Sequence, residues 1–298
     1  MSVELPVTVF RSPRRRACEE RQLVLTAVGV VAEVVPDFGE FLLQVDPRDA
    51  AEAARHLAQY ESENRPPPPA PPPSPLHPHA WVGCLGYAAT LLGVAYVVGG
   101  GRVRLDAFDL GTLNCARVQG GEWWRAWTAL TLHLDGPHLA ANLGAGVWFG
   151  YLAARQLGVG TAWLLIVTGA AFANLAEGLL GPPEHSAVGA STAVFTALGL
   201  MSAYSWRERF HLPQHWGRRW GPLIAGVIML GWTGSAGEGT DLVAHVAGFL
   251  TGVLLGAAAA TRALRAVLGR VPQWLAGALA LASIAVAWAC ALSAHPAH

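Results

Sequence analysis

Few residues in this chain are of a type and placement that can do chemistry. Ser191 stands near the start of a small-residue run, Ala187-Val188-Gly189-Ala190-Ser191-Thr192-Ala193-Val194-Phe195-Thr196-Ala197-Leu198-Gly199. His245 lies in Ala244-His245-Val246-Ala247-Gly248-Phe249-Leu250-Thr251-Gly252. His138 and Asn142 are one helical turn apart in a third apolar segment. Serine plus histidine is the minimal nucleophile–base pair for acyl transfer. An imidazole and a carboxamide, joined by the serine's own backbone N–H, are suitable donors to a developing oxyanion. Each residue also has a plain structural reading. Small residues such as those around Ser191 let membrane helices approach closely. Asn142 alone reads as an interhelical hydrogen bond, His138 alone as an interfacial residue, and His245 alone as a satisfied core histidine. The elements that carry these residues decide between the two readings.

Those elements belong to a membrane protein. Of 298 residues, 53% are hydrophobic and only 13% are charged, where a soluble protein carries about a quarter charged residues. Mean hydropathy is +0.36. The apolar residues gather into seven segments, at roughly 80–100, 126–152, 160–181, 187–205, 220–236, 241–261 and 272–294. The second is long because its first part, Thr128–Gly136, is expected to lie in the membrane surface. Arginine sets the orientation. Arg14–Arg16 precede the first span, Arg155 follows the second, Arg207, Arg209, Arg218 and Arg219 follow the fourth, and Arg262, Arg265 and Arg270 follow the sixth. These alternate loops are cytoplasmic by the positive-inside rule. The loops at 182–186 and 234–241 carry no arginine. The 101–125 loop is the exception, with Arg102, Arg104, Arg117 and Arg125 beside Trp123 and Trp124; an amphipathic structure in the outer interface fits it.

With this parity, spans two, four and six enter from the outside. His138, Asn142, Ser191 and His245 then lie at a common depth, roughly 5–10 Å below the outer surface at 1.5 Å per residue. Polar groups in hydrocarbon are costly, face the bundle interior and mark function. Gly248 and Gly252 form a GxxxG beside His245, which lets span six approach span four. Asp241, one turn before His245, is placed either to orient that ring or to cap span six, and reads as the cap.

The first 64 residues read as a small soluble α+β domain of order β-α-β-β-α. A strand is expected near Val3–Phe10. A helix follows from 13 to about 28, with Ser12 as N-cap and Pro13 at its first position. Val30–Val35 and Glu40–Val45 flank a hairpin turn. A second helix follows Asp46-Pro47 with Ala50, Ala54, Leu57 and Tyr60 on one face. No catalytic cluster appears there, so a docking, regulatory or structural role is expected, on the cytoplasmic side. Residues 65–79, RPPPPAPPPSPLHPH, favour extended polyproline II and form a spacer. No signal-peptide core is apparent at the N-terminus.

Several classes are excluded or disfavoured. Zero formal net charge suggests no nucleic-acid partner. Cys18, Cys84, Cys115 and Cys290 are scattered, which points to neither a disulfide framework nor a metal site. No HExxH occurs, and no inverted repeat of the transporter kind is visible. No cofactor or metal is expected.

The motifs resemble those of the rhomboid intramembrane serine proteases. Trp124-Arg125 resembles the family's WR, His138-Leu139-Ala140-Ala141-Asn142 its HxxxN, Gly189-Ala190-Ser191-Thr192 its GxSx, and Ala244-His245 with Gly248 and Gly252 its AHxxGxxxG. Order and spacing agree across about 124–256, and the layout agrees from residue 80 onward. The resemblance implies an all-α polytopic fold, a rhomboid-like bundle of seven transmembrane helices in the six-plus-one arrangement, behind the soluble domain. It implies that Ser191 is nucleophile and His245 general base, that His138, Asn142 and the Ser191 amide form the oxyanion hole, and that Phe195 packs on the catalytic imidazole. Gly189, Gly248 and Gly252 support this arrangement. Substrates would be single-span membrane proteins, cut near small residues within the lipid bilayer. Two positions depart from the pattern: Thr192 stands where the family usually has Gly, and Ala154 where it often has Glu. The rival reading is a protein of the same fold that binds transmembrane helices without cutting them. Loss of the serine or the histidine would mark it, and both are present.

Overall fold

A computed structural model describes residues 5–64, 76–99, 107–210, 216–234 and 241–294. Residues 65–75 of the spacer, Arg102, Arg104 and most of the 234–241 loop lie outside the described residues. The chain divides into two units, Met1–Pro72 and Pro73–His298.

In the first unit the order is β1 (Val7–Ser12), α1 (Arg15–Ala27), β2 (Ala32–Asp37), β3 (Glu40–Val45) and α2 (Ala50–Glu63). The antiparallel sheet has the order β1-β3-β2. Phe38 and Gly39 turn the β2–β3 hairpin with φ of 36° and 90°, the pair of positive angles that matches strand twist in a two-residue loop. Leu25, Leu43, Val45, Ala53 and Leu57 close the core. Two details correct the sequence reading. Ser12 pairs with Phe41 as the last residue of β1, and its Oγ accepts from the Arg14 amide at 3.2 Å. The helix therefore begins at Arg15 rather than Pro13. In α2 it is Ala53, not Ala54, that is buried. Spacings of three and four residues both fit a helical stripe, so two adjacent alanines leave the phase open.

The second unit is helical. It contains α3 (Trp81–Gly99), the short α4 (Ala107–Gly111), β4 (Leu113–Asn114), α5 (Cys115–Gln119), α6 (Arg125–Thr128), α7 (Gly136–Leu157), α8 (Val159–Leu180), β5 (Ser186–Ala187), α9 (Ser191–Glu208), α10 (Trp216–Gly234), α11 (Leu242–Ala259), α12 (Arg262–Leu268) and α13 (Gln273–Ala294). Among the described residues, α3, α8, α11 and α13 are long and apolar enough to cross a membrane. The structure divides the expected second span. After α6 comes a 3-10 turn, Ala129–Thr131, and Leu132 is extended. Only then does α7 begin, with Asp135 accepting from the His138 amide at 2.7 Å and Pro137 in its first turn. The expected fourth span starts late, at Ser191, because Ser186 and Ala187 pair with Asn114 and Leu113.

Helix α8 is the hub. Its buried face brings Trp163, Ile166, Ala170 and Ala171 into the main core, against Ala153 and Ala154 of α7 and Ala193, Ala197 and Leu200 of α9. Trp163 covers Gly83 and Gly150, where a Cβ would lie 2.2 and 2.5 Å from its ring, and stacks on Tyr87 at 4.9 Å. Helix α13 seats on the start of α8. A Cβ on Gly160 would fall 1.8 Å from the Gln273 carbonyl, and the Gln273 side chain accepts from the Thr161 amide and donates to its hydroxyl at 3.1 and 3.0 Å.

Candidate active site

The segment 107–131 forms a platform beneath the chain that leads to Ser191. Arg125 is buried, 1% exposed. Its Nε donates to Glu122 at 2.5 Å and its Nη1 to the Thr112 carbonyl at 2.8 Å. Thr128 Oγ1 donates to the Gly111 carbonyl at 2.7 Å. Asn174 of α8 donates to Ala126 O, and Trp288 of α13 to Thr131 Oγ1. This platform holds residues 183–189 by backbone bonds. The Cys115 amide donates to His185 O, Ala116 to Pro183 O, and Gly189 to Ala129 O at 2.9 Å.

Gly189 has φ of +132°, a region that L side chains rarely enter. A Cβ there would lie 2.8 Å from both Cε1 and Nε2 of His138, and 3.7 Å from Asn142 Nδ2. The glycine therefore brings the backbone two residues before Ser191 directly under the imidazole and the carboxamide. Asn142 is buried. It donates to His138 O at 3.1 Å, and its own carbonyl accepts from Tyr87 OH at 2.9 Å. Both contacts fix the turn of α7 that carries the two side chains. Ser191 is the first residue of α9. The first amides of a helix have no intrahelical acceptor and form its positive end.

His133 was not singled out by the sequence. Its Nε2 accepts from the Ala190 amide at 3.3 Å, which leaves the ring proton to Nδ1, and its ring packs edge-on to His138 at 5.1 Å. It pins the residue just before the serine. The available signal is a third histidine five residues before His138, in the segment Thr128–Gly136 expected to lie in the membrane surface.

His245 sits in the first turn of α11, 6% exposed. Asp241 caps this helix: its Oδ1 accepts from the Ala244 amide at 3.0 Å and its carbonyl from the His245 amide. Phe195 of α9 lies against the imidazole, ring centroids 4.4 Å apart. The two helices touch backbone to backbone. Cβ atoms built on Gly248, Gly252 and Gly256 would fall 2.6, 2.1 and 2.2 Å from the carbonyl oxygens of Thr192, Thr196 and Leu200. From the other side, one on Gly199 would fall 2.2 Å from Phe249 O. Ser191 and His245 therefore occupy the same end of one glycine seam. Thr192 turns its methyl toward Gly248, 3.1 Å from where a Cβ would be, so its branch packs in that seam.

The structure thus gathers His138, Asn142, Gly189, Ser191, Phe195 and His245 at one end of the α7, α9 and α11 group. A hydroxyl, an imidazole on a neighbouring helix, free helix-end amides and two side-chain donors are the parts needed for acyl transfer.

Two comparisons with known proteins bear on the family. Residues 120–262, which span every one of these groups, match the model of the Rhomboid domain. The chain is also 27% identical over 157 residues to YdcA of Bacillus subtilis (strain 168), whose name gives it provisionally as a rhomboid protease. That match covers 52% of this chain and 73% of YdcA. With its long apolar helices, the protein is a multi-pass membrane protein, and its segment 120–262 is similar to the Rhomboid domain.

Proposed function

We propose that the protein is an intramembrane serine endopeptidase that hydrolyses a peptide bond in or near the transmembrane segment of membrane-anchored substrates. Ser191 Oγ attacks the scissile carbonyl while His245 takes its proton. The tetrahedral oxyanion is held by the Ser191 amide and by His138 and Asn142. His245 then returns the proton to the leaving amine, and a water activated by the same imidazole releases the acyl chain from Ser191. The observation that carries this reading is the approach at Gly189, which sets two side-chain donors over the backbone leading into Ser191. The packing of Phe195 on His245 at the same end of the α9–α11 seam supports the choice of base. In this reading α3, α7, α8, α9, α10, α11 and α13 all cross the bilayer. The arginine-bearing loops and residues 1–64 are cytoplasmic, and the site opens to the outer face of the inner membrane. Substrates are single-span proteins with small residues at the cleavage point.

The test compares full-length protein with Ser191→Ala in liposomes, using a fluorogenic single-span substrate, and labels both with a fluorophosphonate. Ser191→Ala and His245→Ala should abolish turnover, since nucleophile and base act as one unit. Asn142→Ala should retain part of it, with a loss of about 10²–10³ in rate. The fluorophosphonate should label wild type and, weakly, Asn142→Ala, but neither dyad variant. Equal product from wild type and Ser191→Ala would refute the activity. Full labelling of His245→Ala would refute the assigned base.

A further inference from the structure

One cluster outside the proposed catalytic groups is built from three separate elements. Glu177 lies in the last turn of α8, His185 in the segment before β5, and Asp241 at the N-cap of α11. One ligand atom from each lies within 4.8 Å of the other two. We propose that Glu177, His185 and Asp241 bind a divalent transition-metal cation of the zinc type, and that this cation clasps the chain leading to Ser191 to the start of the helix that carries His245.

Three observations carry the assignment. The first is spacing. His185 Nε2 is 2.9 Å from Asp241 Oδ2 and 3.2 Å from Glu177 Oε1. Donors at about 2.0–2.2 Å from a tetrahedral zinc stand roughly 3.3–3.6 Å apart, so these atoms are already close to the spacing of one coordination shell. The second is the state of Glu177. Its side chain is 3% exposed, and in its ionised form neither oxygen has a hydrogen-bond donor; without a cation the pair is held by a proton shared with Asp241. A buried carboxylate without a partner is costly. The imidazole cannot meet the need, because Nε2 carries at most one hydrogen, and Asp241 stands nearer to it than Glu177. A single cation satisfies all three lone pairs, and its two positive charges cancel the two carboxylates around a neutral imidazole. The third is support and access. The other Asp241 oxygen is held by the Ala244 amide at 3.0 Å, and the His185 carbonyl by the Cys115 amide at 3.1 Å. Second-shell bonds of this kind orient metal ligands. A cleft of about 270 Å³, lined by Glu177, His185, Pro182 and Val243 among others, leads to the site. Two oxygens and one imidazole nitrogen suit zinc, cobalt or manganese better than calcium or magnesium, which prefer all-oxygen shells.

The binding stands apart from the proteolytic reading, so its test does not use activity. Full-length protein in detergent is stripped with a chelator and titrated with ZnCl₂ by calorimetry, with MgCl₂ as comparison. Glu177→Gln and His185→Gln are titrated alongside, each first shown to elute as a single species. Wild type should bind one more equivalent of zinc than either variant, and should melt higher with zinc than without it. Loss of a ligand should weaken this equivalent at least tenfold, in line with the 10–100-fold that even supporting shell residues are worth. Co²⁺ gives a second measurement that is independent of stability. Visible bands of a four-coordinate site should appear in wild type and be absent in both variants. Identical zinc stoichiometry and identical cobalt spectra in wild type and variants would overturn the proposal and leave the cluster held by protons alone.

Discussion

Gly252→Ala adds one methyl group where α11 crosses α9, and its consequence can be worked from the geometry. The new carbon would stand 2.1 Å from Thr196 O, 2.8 Å from Leu200 N and 2.9 Å from Thr196 C. All three are backbone atoms of a helix, so no side chain can swing away. Ordinary contact begins at 3.4 Å, so α11 must retreat from α9 by about 1.3 Å. In a free helix the same change stabilises, by about 1 kcal/mol; forcing an extra methylene into a packed site costs about 1–3 kcal/mol. His245 is two turns up the same rigid helix and moves with it. A displacement of about 1 Å at a reacting group is worth about 100-fold in rate. The expected result is a fall in kcat/KM of about 100-fold on a single-span substrate in liposomes, carried mainly by kcat, with only a modest fall in melting temperature. Gly93→Ala on α3 is the matched control, because nothing lies within 4 Å of its added carbon, and it should cleave like wild type. If Gly252→Ala cleaves as fast as Gly93→Ala, the seam does not position the base and the reasoning is wrong.

Three further outcomes follow from other parts of the structure. Gly189→Ala must place a side chain at φ +132° and 2.8 Å from the His138 ring; turnover should fall by at least tenfold while the melting temperature shifts little, and an undiminished rate would separate His138 from the reaction. Arg125→Met leaves Glu122 and the Thr112 carbonyl without their buried donor, which should cost about 3 kcal/mol, read as a lowered melting temperature in detergent; an unchanged melt would mean that the platform is held by its other bonds. Trimming to residues 80–298 should leave cleavage in detergent intact, because no proposed catalytic residue precedes the spacer; complete loss in a truncated protein that still elutes as a single species would assign the first unit a part in turnover.

The legible parts of the sequence were those in which a local pattern has one physical meaning. The placement of Ser191 and His245 at one end of the α9–α11 seam could be read because polar groups in apolar helices stand out, and because Gly248 and Gly252 mark the face of close approach. The order of the first unit could be read from alternating apolar residues and from the turn residues Pro36-Asp37-Phe38-Gly39, of which the structure keeps Pro36 and Asp37 in β2. The break after α6 was hidden because Leu130, Thr131 and Leu132 are as apolar as a helix, while the turn that stops them depends on Asp135 and on tertiary bonds from Asn174 and Trp288. His133 escaped notice because its partner is a backbone amide 57 residues away. Glu177 and His185 escaped because no spacing rule links the end of one helix to the cap of another. The phase of α2 was missed for the opposite reason: Ala53 and Ala54 are chemically identical, and only the sheet beneath them chooses.

The seat of α13 has a bearing on how the bundle is made. Gly160 meets the Gln273 carbonyl with no room for a side chain, and Gln273 completes the hydrogen bonds of Thr161. Trp288 further along α13 reaches Thr131 in the platform under Gly189. Helix α13 follows every other helix of the bundle in the sequence. While the chain is being synthesised, the first turn of α8 therefore carries an open slot and unmet polar groups, and Thr131 waits for its donor. All the residues proposed to act on a substrate emerge from the ribosome before the helix that finishes bracing them. Assembly order thus delays completion of the site until α13 has docked, and a chain that stalls before that point keeps an unfilled slot at Gly160.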